Sequence, residues 1–329
     1  MKGKVLITAR SFRKIPGPHI DEWVREGYEI LFPPYDRPLE AQELVEYIQD
    51  VDAAILGLDK VSREVLLKAS RLRVISRYGV GVDNIDLEAA TELGVIVTVT
   101  PGANSVAVAE LTMALILALA RKIPAHDRIV RSGKWNRLEG VEIMGGTLGI
   151  IGAGRIGQEV GIRARAFGME ILFTDPLPPP EEWIRATQAK SVSLEELLSE
   201  SDIVTLHAPL NEGTQHLLDA NRLSLMKPTA FLINTARGGL VDEKALFEFL
   251  RSGRIAGAAI DTFEVEPTDP SQFADLDHFI STPHIGSATY QTALRMGWLA
   301  TQNALIALRG GRPEHVVNPQ VFGRSSDGS

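Results

Sequence analysis

Three groups able to do chemistry each follow a short apolar run. Arg237 follows "LINTA", the acids of "DTFEVEP" (residues 261–267) follow "AGAAI", and His284 follows "FISTP". A guanidinium is always charged, and its fork can hold a carboxylate or polarise a carbonyl. An imidazole exchanges protons near neutral pH. A carboxylate beside it orients the ring and favours its protonated form. Together these groups suit the reduction of a carbonyl, in which the forming alkoxide must be stabilised and protonated. The acids are ambiguous by themselves. Asp261, Glu264 and Glu266 could form a solvated loop, ligate a metal together with His284, or partner the histidine. Strand alternation puts Glu264 and Glu266 on one face, so pattern alone does not separate them.

A glycine motif supplies the other half of the reaction. "GAGRIG" sets Gly152, Gly154 and Gly157 in G-x-G-x-x-G spacing, after the apolar run 148–151 and before the helix-compatible stretch 158–167. Strand, turn and helix in that order are the context of a dinucleotide site. Gly152 would allow the tight turn, Gly154 the approach of a pyrophosphate, and Gly157 close packing of helix on strand. The helix N-terminus would face the anion with N–H groups that have no partner within the helix. The next apolar run ends at Asp175, with no basic residue until Arg185. An acid there accepts from ribose hydroxyls and repels a 2′-phosphate, so NAD is expected rather than NADP. With a nicotinamide, the three groups read as a site for hydride transfer to a 2-oxo acid.

The elements that must position these residues are short. "KVLITA", "DAAILGL" and "RVISRYG" read as strands in the first hundred residues, with helices such as "AQELVEYIQD" and "REVLLKAS" between them. "EILFTD", "DIVTLHAP", "AFLINTA", "IAGAAID" and "HFISTPH" read as strands after the glycine motif. Strands alternating with helices predict parallel sheets. Ligands in such sheets meet the C-terminal ends of strands, where Arg237, the acids and His284 all fall. "TVTPGANS" (98–105) breaks the pattern, and Asn104 or Ser105 is expected to cap the helix that follows. The last helix is expected over roughly 288–309, and the polar end "GRSSDGS" is expected to be disordered.

Composition narrows the classes. The 329 residues are 44% hydrophobic and 23% charged, as in an ordinary globular protein of two domains. A net charge of -8, with no dense basic run, argues against nucleic acid. The absence of cysteine excludes disulfides, thiolate nucleophiles and Cys-ligated metals, and fits a cytoplasmic protein. "VAVAELTMALILALA" (106–120) is interrupted by Glu110 and too short for a membrane span, so it reads as a buried helix.

The motifs also carry a resemblance. "RYGVGVDNID", "GIIGAGRIGQEV", "LHAPLNEGT", "INTARGGLVDEKAL", "IDTFEVEP" and "TPHIGSAT" stand in order across residues 77–289. In these motifs the chain resembles the D-isomer-specific 2-hydroxyacid dehydrogenases, most of all their phosphoglycerate dehydrogenase branch. The resemblance implies an α/β protein of two Rossmann-like, doubly wound domains. The substrate domain would be discontinuous, residues 1–102 with 287–329, and residues 103–286 would bind the dinucleotide. It implies that Arg237 binds the 2-oxo acid, that His284 is the acid/base and that Glu266 pairs with it. Glu264 is then left as a solvated surface acid. Cofactor contacts are implied at Gly152, Gly154, Arg155, Ile156 and Gly157, at Asp175, His207 and Pro209, and at Thr235, Ala236 and Asp261, the last near the nicotinamide carboxamide. Backbone N–H groups of Gly79 and Val80, with Arg77, would meet the substrate. A homodimer through the helix after Asn104 is implied, with NAD as cofactor and no metal, nucleic-acid or membrane partner. The first substrate expectation is D-3-phosphoglycerate. Glyoxylate, hydroxypyruvate or another non-phosphorylated acid is the alternative, because Leu56 and Gly57 stand where the branch carries Arg-Ser. A reading from another class is an NAD-sensing binding protein.

Overall fold

The computed structural model describes residues 2–323. All but the first residue of the end expected to be disordered lies outside the described residues. The chain divides into two compact units, Met1–Asn104 with Ala288–Ser329, and Ser105–Ser287. The divisions fall two residues and one residue beyond the expected ones. The first coincides with the start of the helix Ser105–Ala120.

The first unit holds β1 (Gly3–Ile7), β2 (Tyr28–Leu31), β3 (Ala53–Leu56), β4 (Val74–Arg77) and β5 (Ile96–Thr98), paired in the order β2-β1-β3-β4-β5. Every pairing is parallel. Period-two geometry explains the continuous apolar runs. Leu6, Ala54, Leu56 and Ile75 enter one core, while Val5, Ile7, Ala53, Ile55 and Val74 enter another on the opposite face. The second core is closed by the helix Tyr290–Leu308 through Met296, Ala300 and Ala304, so the last helix belongs to the first unit. The buried Trp23 indole N–H also donates to Thr301 of that helix, at 3.0 Å.

The second unit holds β6 (Thr147–Ile151), β7 (Glu170–Thr174), β8 (Lys190–Ser191), β9 (Ile203–Leu206), β10 (Phe231–Asn234), β11 (Gly257–Ile260) and β12 (Phe279–Ser281). Their order is β12-β11-β10-β9-β6-β7-β8, again all parallel. Both sheets are doubly wound, as expected. The helix Ser105–Ala120 packs Met113, Ile116 and Leu119 against Leu148 and Ile150, as a buried helix should. Glu110 stays exposed, 3.9 Å from Arg163. Among the described residues no helix is long and apolar enough to cross a membrane.

Three strands were not expected. β2 and β5 are runs of only four and three residues, and β8 is two exposed polar residues at an edge. The Asn104 cap is also corrected, because its side-chain oxygen is buried with no hydrogen-bond partner among the described residues.

Candidate active site

The strand order of the second unit reverses between β6 and β9, and the glycine turn lies there. Ile151 pairs with Leu206, and His207 N–H donates to the Ile151 carbonyl at 2.7 Å. Gly152 has φ +96°, and a Cβ there would lie 2.7 Å from backbone atoms of His207 and Ala208. A side chain is excluded on both counts. Gly157 is as constrained, because its Cβ would lie 2.1 Å from the Gly152 carbonyl. Gly154 differs: a Cβ there would meet nothing within 4 Å. It is the N-cap of the helix Arg155–Ala166 and offers no side-chain acceptor to the first-turn N–H groups. Open space, uncapped N–H groups and the positive end of a helix dipole fit a pyrophosphate.

Two neighbours complete this cradle. Asp175 directly follows β7 and accepts from Ala153 N–H (2.7 Å) and Leu177 N–H (2.8 Å). About half of a carboxylate's four lone-pair directions remain for ribose hydroxyls. His207 holds its Nε2 3.0 Å from the Thr205 hydroxyl, while its Nδ1 is buried without a partner among the described residues. Burial pushes this imidazole down to about 3, so it is neutral at pH 7. An orphaned ring nitrogen beside the glycine turn is a vacancy for a ligand hydrogen bond. Arg155 and Pro209 are exposed at the same strand ends, and Ile156 is half-buried. The residues present therefore fit a dinucleotide.

The acids after β11 have three different tasks. Asp261 is 1% exposed, and its Oδ1 accepts from the Thr282 hydroxyl (2.6 Å) and Ile285 N–H (2.8 Å). Its Oδ2 accepts from Gly286 N–H (2.9 Å). These bonds build the turn after β12, in which His284 takes φ +53°. About one lone pair of Asp261 remains for a carboxamide. Glu266 faces His284 Nδ1 at 2.9 and 3.1 Å and also accepts from Phe263 N–H at 3.0 Å. A carboxylate accepts, so Nδ1 is the donor and Nε2 is left for exchange with a substrate.

Glu264 is exposed, as expected of a surface acid, but it is not without partners. Its Oε1 lies 3.1 Å from His216 Nε2 and accepts from Glu243 N–H at 3.2 Å, while its own N–H donates to Glu243 Oε1 at 2.6 Å. Burial raises the Glu243 carboxyl above its ordinary range, and the nearby charges of Glu264 and Glu266 add to the effect. Among the described residues no three His, Asp or Glu side chains form a metal-holding group.

Arg237 is positioned by Asn234, which the sequence did not single out, and by its neighbour Thr235. Asn234 ends β10, its amide nitrogen donating to the Arg237 carbonyl (2.8 Å) and its oxygen accepting from Ala236 N–H (3.0 Å). Thr235 is 3.0 Å from the buried Thr112 hydroxyl, which ties the strand end to the helix Ser105–Ala120. The guanidinium donates to the Ala236 carbonyl at 2.7 Å and is partly exposed. A polar residue ending an apolar strand was the available signal for Asn234.

The first unit carries the other expected residues. Arg77 ends β4 and is 5% exposed. Its Nε donates to the Gly81 carbonyl at 3.0 Å and its Nη1 to the Tyr78 carbonyl, so it builds the loop that follows. Gly79 N–H was expected to meet a substrate. It is already engaged by the Thr100 hydroxyl (3.0 Å) and the Arg77 carbonyl (2.9 Å), because φ +145° turns it inward. Val80 is 45% exposed in this loop. The loop after β3 holds an acid that sequence reading overlooked: Asp59, 1% exposed, accepts from Thr8 Oγ, from Gly57 N–H (3.1 Å) and from Leu39 N–H (2.8 Å).

Known proteins match this arrangement. Residues 113–286 match the family model described as D-isomer specific 2-hydroxyacid dehydrogenase, NAD binding domain. A D-3-phosphoglycerate dehydrogenase of Methanocaldococcus jannaschii is 46% identical over 289 residues, 85% of this chain and 54% of its own. The chain thus spans about half the length of that relative. A glyoxylate reductase of Thermococcus onnurineus is 41% identical over 98% of both chains. The crystal structure of the TT0316 protein from Thermus thermophilus aligns with a TM-score of 0.86 at 40% identity, over 95% of this chain and 99% of that one. The chain belongs to the D-isomer-specific 2-hydroxyacid dehydrogenase family, whose members are NAD-dependent oxidoreductases, and its cofactor is NAD.

Proposed function

We propose that this protein reduces a small, non-phosphorylated 2-oxo acid of the glyoxylate or hydroxypyruvate class to its D-2-hydroxy acid. The loop after β3 carries this reading. Leu56 is fully buried, Gly57 has no side chain, and Asp59 is a buried carboxylate two residues further on. A phosphate placed at this loop would find a leucine where the phosphoglycerate branch has a guanidinium, and a buried carboxylate three residues further on. A like charge in the same loop disfavours a phosphate there. Full-length similarity to glyoxylate reductases supports the same choice. The second reading is D-3-phosphoglycerate oxidation, favoured by the exposed Lys60 in that loop and by the 46% identical relative.

In this proposal Arg237 grips the substrate carboxylate and polarises the 2-oxo group. His284 Nε2 gives its proton to the carbonyl oxygen as it becomes an alkoxide, and Glu266 holds the ring through Nδ1. The bound nicotinamide supplies the hydride. The cradle of Gly152, Gly154, Gly157 and Asp175 holds the dinucleotide, with His207, Thr235 and Asp261 beside it. The first unit acts as the substrate domain.

We further propose a homodimer in the cytoplasm. Support comes from the segment 123–144, where Ile123, Val130, Trp135, Val141 and Met144 are all more than half exposed. Light scattering on the wild type and Trp135→Asp checks the dimer. The substrate is tested with a panel of 2-oxo acids and NADH. Glyoxylate or hydroxypyruvate should exceed 3-phosphohydroxypyruvate in kcat/KM by about tenfold or more, the effect of roughly 1.4 kcal/mol. The reverse order would select the second reading.

A further inference from the structure

Glu264, Glu243 and His216 lie on the segments that follow three different strands, β11, β10 and β9, and meet at one point. Glu264 and Glu243 exchange backbone N–H to carboxylate bonds at 2.6 and 3.2 Å, and His216 closes on the same Glu264 oxygen at 3.1 Å. Glu243 starts the helix Glu243–Arg251, six residues after Arg237. Glu264 lies two residues before Glu266. Between them Gly238 presses on the backbone of Phe263 and Glu264, where a Cβ would lie 1.9 Å from the Phe263 carbonyl carbon. The third loop is tied by His216 N–H to the Gly239 carbonyl at 2.7 Å, with His216 itself at φ +47°. A non-glycine residue with positive φ is held there by its surroundings.

We infer that Glu264, Glu243 and His216 are positioning residues, a three-loop clamp that sets Glu266, and through it His284, against Arg237. Glu266 lies on a loop whose own carboxylate bond, to Phe263 N–H, is local. Its placement relative to Arg237 has to come from outside that loop, and the clamp joins the segment after Arg237 to the segment before Glu266. Misplacing a catalytic group by about 1 Å costs on the order of 100-fold in rate. This inference rests on the proposed roles of Arg237, Glu266 and His284.

The test is a double-mutant cycle in the full-length protein, read as kcat and KM for reduction of the best 2-oxo acid by NADH. Glu264→Ala should lower kcat by about 10- to 100-fold, with the NADH dissociation constant unchanged. Glu264→Gln should recover most of the loss, because an amide oxygen still accepts from Glu243 N–H and His216. Glu264→Ala combined with Glu266→Gln should be no slower than Glu266→Gln alone, since the clamp acts through Glu266. Full activity of Glu264→Ala, failure of Glu264→Gln to recover it, or multiplicative losses in the double variant would overturn the clamp. If Glu266→Gln and His284→Ala themselves keep wild-type kcat, the catalytic reading fails instead, and the two failures are thus distinguished.

Discussion

The two sheets have the same parallel, doubly wound plan, yet their reversal points are built in opposite ways. In the second unit the end of β6 leaves Gly154 facing open space above uncapped helix N–H groups. In the first unit the reversal lies between β1 and β3, and Asp59 fills it, taking N–H groups from Gly57 and Leu39 and the Thr8 hydroxyl. One end awaits an anion, and the other has one built in. A shared fold therefore does not confer dinucleotide binding; the residues at the crevice do.

Swapping the two designs gives the largest effect. Gly154→Asp should lower NADH affinity by about 100-fold, through like charge against the pyrophosphate, without loss of fold, because its Cβ meets nothing. NADH fluorescence titration and thermal unfolding measure the two parts; unchanged affinity would refute the cradle. Emptying the other end should cost stability instead. Asp59→Ala leaves buried donors unpaired and should cost about 3 kcal/mol in urea unfolding, and an unaffected midpoint would mean that water satisfies them. Asp175→Ala should reduce the preference for NADH over NADPH by about tenfold, for one lost charge-assisted contact, measured as a ratio of kcat/KM.

The smallest effect depends on pH. His207 has its folded value depressed to about 3 from 6.5, so protons favour the unfolded chain. Its contribution to stability is complete above pH 6.5 and declines as pH falls through that value toward 3. Burial also lowers His19 in the first unit, which adds in the same direction. His207→Gln should flatten the acid side of the melting-temperature profile, and an unchanged slope would remove His207 as its source.

Much of this site was legible because its demands on residue type are absolute. Only glycine fits at Gly152 and Gly157, so the spacing survives in the sequence as a readable mark. The C-terminal ends of β10, β11 and β12 bring Arg237, Glu266 and His284 to one edge through strand geometry that apolar runs reveal. What stayed hidden depends on side-chain direction in loops. Glu264 and Glu266 lie beyond the end of β11, outside any strand, so alternation could not separate a clamp from a histidine partner. Arg77 turns back on its own loop, and Gly79 N–H turns inward at φ +145°, where no periodicity applies. Asp59 lies just beyond Leu56 and Gly57, and only its burial reveals an internal anion. β8 was missed because its two polar residues at an edge carry no apolar signal.

In the proposed mechanism His284, oriented by Glu266 at 2.9 Å, exchanges the substrate proton. Steady-state kcat for 2-oxo acid reduction by His284→Ala tests it most directly, beside an NADH titration of the same variant. The expected result is a fall of about 10²- to 10⁴-fold with NADH affinity preserved. A variant that keeps wild-type kcat would contradict it.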